Sequence, residues 1–140
     1  MPNTNLIMIL FGIIVLAGIG LFMYVALTSR KKTTLDREEF RKRWQTIEQI
    51  KTQGQSGLTL AIIEADKLLD QALKQAGHPG ATMGDRLKGA RNTFRSTDDI
   101  WQAHKLRNRI AHETDINLNQ FAVDRALGQF KAGLRDLGAL

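Results

Sequence analysis

The sequence predicts an all-α protein: one N-terminal transmembrane helix followed by a small up-and-down bundle of about four to five helices. Three observations lead there. From Leu6 to Leu27 every residue is apolar or glycine, with Tyr24 alone carrying a polar handle. After that run no segment alternates with period two, and apolar residues recur at spacings of three and four. Asp, Thr, Ser and Asn stand just ahead of those periodic runs, where helix N-caps belong.

At about 1.5 Å per residue the Leu6–Leu27 run spans roughly 33 Å, close to the ~30 Å hydrocarbon core of a bilayer. A cleaved signal peptide would open with a basic stretch and have a shorter apolar run, whereas this chain begins Met-Pro-Asn-Thr-Asn. Arg30, Lys31 and Lys32 follow the span directly, and no charged side chain precedes it. The positive-inside rule then predicts a single-pass membrane protein, with residues 1–5 extracytoplasmic and the C-terminal domain cytoplasmic. The spacing of Gly12, Gly18 and Gly20 does not make a GxxxG pair, so no dimerisation face is read from the span.

Residues 28–54 form a basic juxtamembrane segment with a first helix that opens at Asp36. Glu39 is placed to complete a capping box there, and Phe40, Trp44 and Ile47 share one face. The helical domain proper runs from 55 to 140. Its second helix starts near Ser56 and carries the most apolar stripe, from Leu58 through Ile62, Leu69 and Ala72 to Ala76. Gly77 is its expected C′ residue and Pro79 its stop. A short third helix follows the Thr82…Asp85 capping pattern and carries Leu87. The fourth begins at Ser96, with Asp99 three residues on, and runs through Ile100, Ala103, Leu106 and Ile110. The fifth starts near Asn117 or Asn119, with Phe121, Val123, Leu127, Phe130, Leu134 and Leu137 as its stripe. Trp44 and Trp101 are read as core or helix-packing residues.

Composition removes several kinds of chemistry. There is no cysteine, so disulfides, thiol nucleophiles and thiolate metal sites are excluded. The Gly-rich stretch from Gly77 to Gly84 lacks the Gly-Lys-Ser/Thr that a phosphate-cradling loop needs. His104 and His112 lie about 12 Å apart along one helix and cannot share a metal ion. No metal and no cofactor is expected. The net charge is +6, from 20 Lys and Arg against 14 Asp and Glu. Most of the excess lies within residues 30–51, beside the membrane, where Arg30, Lys31 and Lys32 can meet anionic lipid headgroups.

The end of the fourth helix stands out. His104, Asn108 and His112 recur at i, i+4, i+8, flanked by Lys105, Arg107 and Arg109. A polar, cationic stripe here interrupts the amphipathic pattern. Its bland reading is a solvated face, with His112 complementing the helix macrodipole near the C-terminus.

Arg107-Asn108-x-x-x-His112 resembles the R-N-x-x-x-H signature of the HEPN superfamily, small all-α domains of which many are metal-independent ribonucleases. The resemblance covers about Leu58–Leu140 and leaves out the anchor and the first helix. It implies Arg107, Asn108 and His112 as catalytic residues, with His104, Lys105 and Arg109 contacting RNA. Histidine suits proton transfer near neutrality, and arginine forks onto phosphate oxygens. Five residues along a helix turn through about 500°, so Arg107 and His112 point about 140° apart. The family resolves such geometry by bringing two copies of the motif together, so the resemblance implies a homodimer and 2′,3′-cyclic phosphate products. The alternative is a non-catalytic helical adaptor, or a nucleotide- or RNA-binding module at the membrane.

Overall fold

The computed structural model describes residues 4–28, 35–113 and 116–140. Six helices make up the described chain, with no strand among the described residues: α1 (Thr4–Thr28), α2 (Arg37–Ile50), α3 (Gly54–Gln75), α4 (Met83–Gly89), α5 (Thr97–His112) and α6 (Gln120–Asp136). They fall into two compact units, Met1–Lys32 and Thr33–Leu140. In the first unit, α1 is long and apolar enough over Asn5–Val25 to cross a membrane, and none of that stretch is buried against protein. Arg30, Lys31 and Lys32 lie outside the described residues.

The second unit takes in α2, which the sequence-based division sets apart as juxtamembrane. Phe40, Trp44 and Ile47 all sit in the bundle core. At the head of α2 the Asp36 carboxylate accepts from the backbone N–H groups of Glu38 and Glu39, at 3.0 and 3.2 Å. The expected capping box is only half formed, because Glu39 turns toward Arg43 instead. Three polar contacts fasten α2 and its end to the C-terminal part of the bundle: Lys51 to Asp124, Lys131 to Glu48, and Arg37 to the Gly138 carbonyl. Glu48 also accepts from the Trp44 indole at 2.8 Å. That bond, helped by Lys131, holds its carboxyl below the ordinary range.

α3 is the central helix and packs against all four other helices of the unit. It begins at Gly54, two residues before the expected Ser56, directly after the turn that ends α2. This tight corner depends on Gly57, where a Cβ would come within 2.2 Å of the Ile50 carbonyl oxygen. Ala61, Ile62, Ala65, Leu68, Leu69, Ala72 and Leu73 are fully enclosed. The helix ends as the sequence predicts. Gly77 takes φ of 84°, His78 N–H bonds the Leu73 carbonyl, and Gly77 N–H bonds the Lys74 carbonyl. This is a Schellman cap, which a residue with a Cβ would strain.

α4 opens with the complete Thr82/Asp85 capping box. Ser96 does head α5, but its hydroxyl donates to the Asp99 carboxylate at 2.7 Å rather than capping a backbone N–H. Asn119 caps α6, accepting from Ala122 N–H at 2.7 Å. Val123, Leu127, Phe130 and Leu134 bury as expected. Phe121 does not: its ring is 77% exposed. At 100° per residue it points about 160° away from Val123, so the stripe of α6 begins two residues later than the apolar pattern suggests.

Candidate functional site

The buried polar centre of the bundle lies between α3 and α5. Asp66 occupies a core position of α3, four residues after Ile62 and three before Leu69, and is only 4% exposed. Its Oδ1 lies 2.7 Å from Nδ1 of His104, itself 7% exposed. The other ring nitrogen of His104, Nε2, is 3.2 Å from Nδ2 of Asn108. Asn108 Oδ1 in turn accepts from Arg107 Nη1 at 3.2 Å. Arg107 Nε closes the ring as an ion pair, 3.4 Å from Asp66 Oδ2.

Hydrogen-bonding capacity sets a direction round this ring. An ionised carboxylate only accepts, so His104 donates from Nδ1 and leaves Nε2 as an acceptor. The Asn108 amide must then present N–H to His104 and its oxygen to Arg107. Each side chain fixes the orientation of the next. Buried Arg107 Nε reaches no partner with hydrogen-bond geometry, so the guanidinium is held there by charge.

Arg107 and Asn108 face a cavity of about 530 Å³. Asp66, Lys67 and Asp70 of α3, Thr82, Met83 and Gly84 at the start of α4, and Trp101 and His104 of α5 complete its lining. A salt bridge braces the wall between α3 and α4. Arg86 Nε and Nη2 reach the two oxygens of Asp70 at 2.7 and 3.2 Å, and Arg86 also bonds the Gly80 carbonyl. Burial pushes the Asp70 carboxyl up, but the bonds from Arg86 and Lys74 outweigh it, and the group stays below its ordinary range. The Trp101 ring packs at the rim, against Gly84 and edge-on to His104.

The adjoining exposed strip of α5 is different. Lys105, Arg109 and His112 are exposed. Arg109 forks onto Glu113 at 3.0 and 3.1 Å, a contact that lowers the Glu113 carboxyl and raises the guanidinium. His112, the last residue of α5, has no hydrogen-bond or ion-pair partner among the described residues. Beside this face a groove of about 400 Å³ runs between α5 and α6, with Arg109, Phe121 and Arg125 among its lining residues.

The stripe at His104, Asn108 and His112 is therefore not one solvated surface. His104 belongs to the core, where both ring nitrogens are engaged, so it is not an exposed RNA contact. Asn108 and Arg107 are half-buried and tied to it, and His112 stands outside. Arg107 lines the cavity described above and His112 does not. The residue that sequence reasoning missed is Asp66. A carboxylate at a core position of the most apolar helix was its signal, since such a group must find a buried partner.

Compared with known proteins, the chain matches no family model, no curated protein and no solved structure.

Proposed function

We propose that the protein is a membrane-anchored, metal-independent endoribonuclease of the HEPN type, active as a homodimer. The observation that supports this most is the ring of Asp66, His104, Asn108 and Arg107. It spends a buried carboxylate and imidazole on orienting a guanidinium and an amide toward a cavity, as reactive groups are usually held by a supporting shell. Arg107 would take the charge growing on the phosphate, and Asn108 would orient the scissile group. His112 of the other copy would take the 2′-OH proton as the 2′-oxygen bonds to phosphorus and the P–O5′ bond breaks. The departing 5′-oxygen takes a proton from water, and a 2′,3′-cyclic phosphate remains. In this reading α1 is the anchor, and Arg30, Lys31 and Lys32 hold the bundle on the cytoplasmic side. A reporter fused after Leu140 should then read as cytoplasmic, and an external readout would remove the access to RNA.

One observation favours the rival reading, a non-catalytic adaptor or nucleotide-binding module: His112 lies outside the cavity that Arg107 lines. The two readings separate on one experiment. The full chain in lipid nanodiscs, incubated with labelled RNA in EDTA, should leave cyclic phosphate ends and spare DNA. Arg107→Ala and His112→Ala should each abolish cutting, and mixing the two variants should restore part of it. RNA left intact by the wild-type chain would overturn the enzymatic reading, and cutting by His112→Ala at the wild-type rate would remove His112 from the proposed catalytic set.

A further inference from the structure

We propose that the groove between α5 and α6 binds single-stranded nucleic acid, with Phe121 as the platform on which a base stacks. The inference takes from the ribonuclease reading only that RNA is the natural occupant. Among the described residues of the bundle, Leu60 and Phe121 are the only exposed large apolar side chains, and Phe121 is by far the more exposed. Its ring belongs to no core contact that the helix needs, and it stands at the mouth of a groove floored by Ala103, Ala122 and Ala126. Small side chains there leave room for a flat base against the ring.

The charges around that ring suit a phosphate backbone. Arg125 follows Phe121 by about one turn of α6, and it reaches across the groove to Gln102 at 3.3 Å. On the α5 side, Lys105, Arg109 and His112 fall within about 60° of arc at 100° per residue, so they form one ridge. Among the described residues nearby, Glu113 is engaged by Arg109, Asp124 by Lys51 and Gln120, and Asp99 by Ser96 and Gln129, which leaves exposed Asp98, about two turns before Lys105, as the acid the ridge must outweigh. An exposed aromatic ring beside a cationic ridge is how single strands are held without sequence preference. Guanidinium planes add a second stacking surface and fork onto phosphate. A strand lying in this groove passes Arg109 and reaches the exposed imidazole of His112. A protein partner would find little apolar area there beyond one ring and Leu106.

Fluorescein-labelled oligothymidylate tests this directly, since it lacks the 2′-OH and reports binding without cutting. Anisotropy is read on the full chain in zwitterionic nanodiscs. Phe121→Ala should weaken binding about tenfold, Phe121→Trp should restore it, and affinity should fall as salt rises. Equal affinity of Phe121→Ala and wild type would overturn the proposal. So would a change from two copies to one per nanodisc at unaltered affinity, which would make the groove a protein interface. Failure of the ribonuclease reading looks different. Phe121-dependent binding with intact RNA keeps the groove and removes the enzyme, whereas cutting with Phe121-independent binding does the reverse.

Discussion

On the side of α5 turned toward α3, His104, Asn108 and Arg107 are chained to the Asp66 carboxylate in a fixed order. On the side turned to solvent and α6, Lys105, Arg109 and His112 stand in water, and Arg109 is paired with Glu113. The two sides carry similar side chains one residue apart, yet only the first is positioned by the fold. Burial makes the difference. A polar group shut away from water must be satisfied by protein, so its geometry is specified, whereas an exposed group is satisfied by solvent in many orientations. For function the two sides then offer different things: a fixed guanidinium and amide on one, an accessible imidazole and a cationic ridge on the other.

The sharpest way to break this comparison is to remove its buried anchor. Asp66→Ala leaves the His104 donor without an acceptor and takes away the charge opposite Arg107. We expect a loss of about 3 kcal/mol by urea titration, the orphaned donor alone being worth roughly 1–3. The ion pair adds little beyond that, because half-buried Arg107 can swing toward water. A loss under about 1 kcal/mol would mean that the ring does not order the site.

Acid titration probes the neighbouring wall. The Asp70 carboxyl is lowered in the folded state, so the unfolded chain binds its proton first as pH falls. The stability from the Arg86 pair is therefore complete above the ordinary carboxylate value of 3.8 and is lost as pH drops through the lowered one. Asp70→Asn should flatten this part of the stability profile against pH. An unchanged acid limb would show that the pair is not formed in solution. The smallest effect belongs to the exposed side: His112→Ala should shift stability by no more than about 0.5 kcal/mol. A larger loss would give His112 a structural role and turn the comparison around.

How much of this was legible beforehand depends on the range of the interactions involved. Asp36, Thr82, Ser96 and Asn119 mark four helix starts, and Gly77 marks an end, because the contacts these residues make at a helix terminus, with backbone or, for Ser96, with the Asp99 side chain, lie within a few residues of themselves. The same locality explains α1, whose length and composition alone make it fit to cross a membrane. Phe121 misled because it lies just ahead of a genuine apolar stripe, and spacing alone does not say at which turn a helix meets its neighbours.

The motif residues Arg107, Asn108 and His112, and the cationic residues around them, were visible in the sequence by spacing and residue type. That His104 is enclosed, that Asp66 receives it from 38 positions away, and that His112 is left outside were decided only by how α3 packs on α5. A helix repeats every 3.6 residues whatever surrounds it, so its own sequence orders its side chains around the axis. Which of those side chains meets protein and which meets water depends on the helices packed alongside, and that was settled only when the bundle closed.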